Sequence, residues 1–190
     1  MKAGEVTLLF PGGVSEVFHG EEDAYKLLWP DDVDFVRTAA KFNATVVTLA
    51  AVGAYESYNI LATQEQILDS PLGKRAMENS KKVPNANPRR KDGKEEIFVP
   101  PINFPKAVPA RHYFLAGKPF DLDELDHNDK EACSSCYSSI KADLQGNIDK
   151  LLKAREKDIY SLGGIDGLSR LAFETASGAR APTFHTEELL

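Results

Sequence analysis

Apolar residues in the first part of the chain fall into distinct patterns. Residues 5–10 form a short apolar run that ends at Pro11, which is typical of a buried strand. In residues 31–43, acidic positions come first and apolar ones then recur at helical spacing, so a helix is predicted with Asn43 as a left-handed cap. Residues 45–52, TVVTLAAV, are β-branched and nearly all apolar, which predicts a strand covered on both faces.

A strand, a helix and a second strand in this order indicate a βαβ unit within residues 1–58, so the predicted fold class is α/β. The two strands of such a unit run parallel and their connection is right-handed. Gly12 and Gly13 then lie at the carboxyl edge of the sheet, where α/β folds place their ligands.

The middle of the chain carries weaker signals. Residues 60–69 and 72–80 are compatible with short helices separated by Ser70 and Pro71. Residues 81–98 are rich in lysine, arginine and proline and lack apolar periodicity, which predicts an exposed loop. Such a loop could also touch an anionic lipid surface or a cofactor phosphate, but a solvated connection is the favoured interpretation.

Residues 99–160 are predicted to form a strand and a long amphipathic helix. A proline-rich, extended approach leads into a strand at residues 112–116. Apolar residues at core spacing then predict a helix over residues 128–156 that packs on the sheet. Residues 161–190 are predicted to be a surface tail, and the whole chain of 190 residues is predicted to form one domain.

Composition narrows the classes of function. The formal net charge of −6 argues against a nucleic-acid partner, because phosphate contacts require clustered Lys and Arg. No apolar run approaches the ~20 residues that a membrane-spanning helix needs. Cys133 and Cys136 form a CxxC pair without a second pair of zinc ligands, so we interpret them as partly buried thiols and predict no metal site.

The double glycine is the first candidate for chemistry. Residues without Cβ atoms let backbone N–H groups approach a phosphate or a developing oxyanion, although a tight strand exit without a ligand explains the same pattern. Ser15 lacks the final glycine of a nucleophile elbow, and no Walker A lysine follows Gly13. Lipase and nucleoside triphosphatase motifs are therefore not supported.

The stretch FPGGVSEVFHGEEDAYKLLWPDDVDFVRTAAKFNATVV resembles the phytyl ester synthase and diacylglycerol acyltransferase-like family of plastid acyltransferases. The similarity continues through AVGAYE, PPINFPKAVPARHYFLAGKPF and the terminal PTF. The resemblance implies a lysophospholipid-acyltransferase-like sheet with flanking helices. It also implies transfer of a fatty acyl group to phytol or diacylglycerol, with acyl-CoA, acyl carrier protein or a galactolipid as donor and with no bound cofactor.

The resemblance further implies lipid partners, contact with a lipid surface and a plastid location, including plastoglobules. Related acyltransferases use a histidine box as general base on the acceptor hydroxyl. None of His19, His112 and His127 has an acid five positions on, and the chain contains no His-Pro-His sequence. The chain is therefore expected to be the C-terminal part of a longer enzyme and to be inactive and poorly soluble by itself.

Matching positions give the candidate site residues. Gly12, Gly13 and Glu16 match the family's Gly-Gly-x-x-Glu box and are expected on the acyl-acceptor or oxyanion side. Arg37 could anchor an anion, but an ion pair with Asp34 is favoured. His19 could act as a base, but a solvated role is favoured because no orienting partner is evident.

Trp29 is a candidate for lining an acyl groove or docking on lipid, together with Tyr25, Leu27 and Leu28, and core packing explains these residues equally well. Two other functions stay open at this point. One is a non-catalytic lipid-binding module of the same fold, and the other is a domain that binds a soluble phosphate ester on the double glycine.

Overall fold

The computed structural model describes residues 4–13, 16, 23–31, 33–62, 64–71, 73–75 and 102–185. The chain divides into two compact units rather than the single domain that its length predicted. The main unit comprises Met1–Ser57 and Ala107–Leu190, and the small unit comprises Tyr58–Lys106.

Both units combine helices with a two-stranded antiparallel sheet, so the class is mixed α and β as predicted. The elements of the main unit are α1 (Asp34–Lys41), β1 (Thr45–Val52), β4 (Tyr113–Asp121), α3 (Lys130–Arg155) and α4 (Leu168–Ser177). The small unit contains β2 (Tyr58–Ala62), α2 (Gln64–Asp69) and β3 (Ile102–Pro105). No helix in the described part of the chain is long and apolar enough to cross a membrane.

The predicted parallel βαβ unit is wrong. β1 pairs antiparallel with β4, from Thr45 opposite Asp121 to Val52 opposite Tyr113. Residues 5–10 belong to neither sheet and are exposed, with Val6 at 99%. An apolar run indicates that a segment is able to form a strand. Which strand it pairs with depends on residues distant in sequence, and the local pattern carries no information about them.

β1 is covered on one face only, contrary to the prediction of two covered faces. Thr48, Ala50 and Val52 are buried on the side where α3 packs against the sheet, whereas Leu49 on the other side is 55% exposed. Phe114 of β4 is 63% exposed. The main unit therefore carries exposed apolar side chains on both strands of its sheet.

The helix predicted between the glycine segment and β1 is confirmed. α1 ends where expected, because Asn43 adopts a left-handed φ of 49° and its N–H donates to Ala40 O at 3.1 Å. The following N–H, of Ala44, donates to Ala39 O at 3.0 Å, which satisfies another carbonyl of the last turn. Asn tolerates this conformation better than most residues, so the local sequence is sufficient to end the helix.

α3 matches the predicted long helix closely. The Asp129 carboxylate accepts from the N–H groups of Glu131 and Ala132, both at 3.0 Å, and so caps its start. Cys133 is buried, Cys136 is partly buried, and both thiols are free with pKa values raised by burial, as expected for structural rather than redox cysteines. The buried face of α3 carries Cys133, Tyr137, Ile140, Asn147, Ile148, Leu151 and Ala154.

The small unit differs from its prediction in two places. Residues 60–62 belong to β2 and not to a helix, while α2 occupies the remainder of the predicted helical stretch. The proline-rich approach contains a true strand, since β3 pairs antiparallel with β2. The predicted exposed loop at residues 81–98 lies outside the described residues.

Candidate functional site

The double-glycine segment forms a tight turn. The N–H of Gly13 donates to Phe10 O at 3.0 Å, and the φ of Gly13 is 51°, a left-handed value that favours glycine. Gly12 is buried. The amide of Gly13 is thus already used within the turn.

The Glu16 side chain occupies the space that a side chain on Gly12 would need. A Cβ atom on Gly12 would lie 2.1 Å from Cδ of Glu16, so the carboxyl group of Glu16 folds over this position. The same carboxylate accepts a hydrogen bond from the N–H of Leu28 at 3.0 Å. The Gly-Gly-x-x-Glu box therefore acts as a clamp that joins the glycine turn to the segment around Leu28.

This clamp disfavours an anion at the double glycine. A phosphate close to Gly12 would meet the negative charge of Glu16, and an oxyanion at Gly13 would have to displace the Phe10 carbonyl from its amide.

Gln145 of α3 holds the segment that the clamp reaches. Its Oε1 accepts from the N–H of Leu27 at 3.3 Å, and its Nε2 donates to Tyr25 O at 3.1 Å. Tyr25 has a φ of 65°, which is uncommon for a residue with a side chain and persists only when its surroundings hold it. The segment is thus fixed to the helix on one side and to the glycine turn on the other.

A polar network fixes the Tyr25 side chain. Its hydroxyl donates to Glu56 and accepts from Gly53 N at 2.8 Å, and Arg155 contacts both the hydroxyl at 3.3 Å and Glu56 Oε1 at 2.5 Å. Burial, followed by the hydrogen bond to Glu56, raises the pKa of Tyr25 to about 12. Sequence reasoning missed this network, because its members lie far apart along the chain and form no motif.

Trp29 is buried in an aromatic cluster next to the clamp. Its side chain packs against Phe35 and Tyr137 at ring-centroid distances of 5.8 and 5.7 Å, and the residue is only 8% exposed. The backbone is held on both sides of Trp29, by Glu16 at Leu28 and by the Tyr137 hydroxyl, which donates to Pro30 O. Nε1 of Trp29 is buried and has no hydrogen-bond acceptor among the described residues.

The other candidate residues are not brought to this clamp by any contact that the described residues show. Arg37 forms the expected ion pair with Asp34, with 3.8 Å between Nη1 and Oδ1, and its Nε donates to His127 O at 3.1 Å. These contacts join α1 to the turn before α3. His19 lies outside the described residues.

A second network anchors the C-terminal segment. The fully buried carboxylate of Asp158 accepts from Arg111 and Tyr113 at 2.7 Å, from Thr183 at 2.8 Å and from Tyr160 N at 2.8 Å. Burial raises the pKa of Asp158, but these hydrogen bonds outweigh it and hold the pKa below its ordinary value.

Arg111 extends this network by donating to the carbonyl oxygens of Ala181 and Pro182, at 2.5 and 2.7 Å. Ala181 is buried, and the ring of Phe184 lies 5.2 Å from that of Tyr113. Most of the described residues after 161 are exposed, as the predicted surface tail requires, but residues 181–184 are held against Arg111 and Tyr113. Within the part of the chain that the structure describes, no three His, Cys, Asp or Glu side chains come together as a metal site.

Two proteins of Arabidopsis thaliana are similar to this chain. "Phytyl ester synthase 1, chloroplastic" is 32% identical over 158 residues, which cover 80% of this chain and 22% of that protein. "Phytyl ester synthase 2, chloroplastic" is 34% identical over 185 residues, or 93% of this chain and 25% of that protein. No protein-family model matches the chain, and no solved structure matches it.

Both units are built from helices and antiparallel strands, which makes this a protein of the mixed α and β class. The resemblance seen in the motifs is confirmed, and the chain belongs to a phytyl ester synthase-like family. It spans about a quarter of the length of these relatives.

Proposed function

We propose that this chain contributes the acceptor side of an O-acyltransferase that transfers a fatty acyl group to phytol or diacylglycerol. The similarity to proteins named phytyl ester synthase carries the proposal. The clamp supports it, because Gly12 and Glu16 place a carboxylate beside a buried aromatic cluster, which suits an apolar alcohol better than a charged metabolite.

Within this proposal, Gly12, Gly13 and Glu16 position the segment that receives the alcohol. A carboxylate next to the acceptor disfavours an anionic ligand, which supports an uncharged hydroxyl as acceptor. The acyl donor is acyl-CoA or acyl carrier protein, and no cofactor is bound. The chloroplastic names of both relatives support a plastid location. Action on plastoglobules or other lipid surfaces is part of the proposal.

The catalytic base is proposed to lie in a part of the protein outside this sequence. An alcohol is a weak nucleophile near neutral pH, so the reaction needs a positioned general base. None of the four histidines, His19, His112, His127 and His185, stands in a histidine box, and the chain spans about a quarter of each relative. This chain alone is then expected to bind the acceptor without transferring an acyl group.

The test is acyl transfer by the longest protein that contains this chain. It would be incubated with phytol or diacylglycerol and with acyl-CoA or acyl carrier protein as donor, and the esters would be identified by mass spectrometry. We expect phytyl ester or triacylglycerol, and the product identifies the acceptor. A protein that forms neither ester with either donor contradicts the proposal.

Variants of the clamp sharpen this test. Gly12→Ala should displace the Glu16 side chain, and Glu16→Gln should weaken its hold on Leu28, so we expect each to lower the transfer rate by about ten- to a hundredfold through misplacement of the acceptor. Gly146→Ala is the matched control, since an added Cβ there has no neighbour within 4 Å and should leave the rate unchanged.

A further inference from the structure

The indole N–H of Trp29 is a buried donor without an acceptor among the described residues. Buried Trp N–H groups usually find a partner, and leaving one unpaired costs about 1–3 kcal/mol. Native proteins retain few such groups, and each of them calls for an explanation such as a functional role. Trp29 is therefore the most informative unexplained group in the described part of the chain.

The place of Trp29 links this donor to the glycine clamp. Glu16 binds the N–H of Leu28, and the Tyr137 hydroxyl binds Pro30 O, so the residues on both sides of Trp29 are pinned. The indole can adjust about its own side-chain torsions, but its backbone is fixed next to the clamp. Trp29 is thus the residue that directly follows the one bound by the clamp.

The surroundings define the chemistry that the donor fits. Phe35 and Tyr137 pack on the indole, and Val36 and Ala40 belong to the same core cluster, so an apolar molecule is favoured. The indole carries no charge to balance an anion, and the Glu16 carboxylate next to Leu28 would repel one. The acceptor is accordingly a neutral oxygen carried on an apolar chain.

We propose that the Trp29 indole N–H donates a hydrogen bond to the carbonyl or hydroxyl oxygen of a bound lipid ester or alcohol. This inference rests on the proposed acyltransferase function and adds to it a specific binding residue. Because the N–H is buried without ligand, the lipid must open the aromatic cluster to reach it. Binding and a change in the environment of the indole therefore occur together.

Trp29 is the chain's single tryptophan, which makes the test direct. The full chain, labelled with ¹⁵N in the indole, would be titrated in neutral detergent micelles with phytol or with phytyl acetate. Binding would be measured separately by calorimetry. We expect the indole proton to shift downfield and the fluorescence to change, both saturating at the ligand concentration where binding saturates. A shift with the acetate identifies the carbonyl as acceptor, and one with phytol alone identifies the hydroxyl.

Variants separate the hydrogen bond from packing. Trp29→Phe keeps an aromatic ring but removes the N–H, and should weaken binding about two- to tenfold. Phe35→Leu disturbs the same cluster but retains the N–H, so it is the matched control and should weaken binding less. Equal losses in both variants would assign the effect to packing and overturn the inference.

The remaining outcomes distinguish this inference from the proposed function. Binding without movement of the indole resonance would overturn the role of Trp29 and leave the acyltransferase proposal standing. An indole proton that is shifted upfield without ligand, and stays so, would show that it lies against the Phe35 ring and needs no ligand. Failure of both lipids to bind the wild-type chain would count against the inference and the proposed function together.

Discussion

Asp158 and Trp29 are both buried, but they differ in how far their hydrogen bonds are satisfied. Three side chains and one backbone amide donate to the Asp158 carboxylate, whereas Nε1 of Trp29 has no acceptor among the described residues. Exposure does not explain the contrast, since both are removed from water. A buried polar group with all its hydrogen bonds made is explained by its role in the fold. A buried polar group without a hydrogen-bond partner lowers stability, so its presence needs an explanation other than the fold.

The largest effect is expected from truncating Asp158. Asp158→Ala removes the carboxylate nearest to the partly buried Arg111 and leaves the hydroxyls of Thr183 and Tyr113 without their acceptor. The free energy of unfolding should therefore fall by about 3–5 kcal/mol. Urea denaturation followed by circular dichroism measures this loss. The exposed Asp166→Ala is the control and should change stability by less than about 0.5 kcal/mol. Equal stability of the two variants would show that the hydrogen bonds of Asp158 do not stabilise the fold.

Acid should reproduce part of this loss. The pKa of Asp158 is lower in the folded than in the unfolded chain, so its contribution is fully present above the ordinary carboxyl pKa and is lost as the pH falls through the folded value. The wild-type protein should therefore lose more stability than Asp158→Ala on acidification below the ordinary value. Parallel acid curves would show that Asp158 is not held by its donors.

An intermediate effect is expected where a third polar cluster meets the sheet. Thr48 donates to Asp143 at 2.6 Å and Asn147 donates to the same oxygen at 3.1 Å, directly beneath Gly117. A Cβ on Gly117 would lie 2.0 Å from Thr48 Oγ1 and 2.2 Å from Asp143 Oδ2. Gly117→Ala should therefore destabilise the fold by about 1–3 kcal/mol through overpacking.

Gly146→Ala is the matched control for this site. Gly146 lies in the interior of α3, and an added Cβ meets nothing within 4 Å. The higher helix propensity of alanine should raise the free energy of unfolding by about 0.5–1 kcal/mol. In thermal denaturation, Gly117→Ala should lower the Tm and Gly146→Ala should raise it. A higher Tm for Gly117→Ala would show that the sheet can move away from α3.

Local signals account for what the sequence predicted. α1 and its Asn43 cap, the β1 strand and the span of α3 each follow from residues within one element, so propensity and periodicity were enough. The pairing of β1 with β4 was not predictable in this way. The two strands lie far apart in the sequence, with all residues of the small unit between them. An apolar run at residues 5–10 has the composition of a strand but pairs with neither sheet.

The candidate site likewise has a part that the local sequence predicted and a part that it did not. Gly12, Glu16 and Trp29 were named from a motif, but the motif did not show that Glu16 folds over Gly12 or that the indole N–H is unpaired. Those facts depend on side-chain contacts over many residues, as does the four-donor network of Asp158. Composition records that such groups exist, and only the packed chain shows which of them are satisfied.

The smallest effect is expected at Trp29. Trp29→Phe loses some buried area but also removes an unsatisfied donor, and because these terms offset each other the stability without ligand should stay within about 1 kcal/mol of wild type. Tyr137→Phe in the same cluster removes a satisfied hydroxyl and leaves Pro30 O without it, so it should cost about 1–3 kcal/mol. Urea denaturation in the absence of lipid compares them. If Trp29→Phe is the more damaging of the two, the indole N–H has a partner in the free protein, and the contrast with Asp158 disappears.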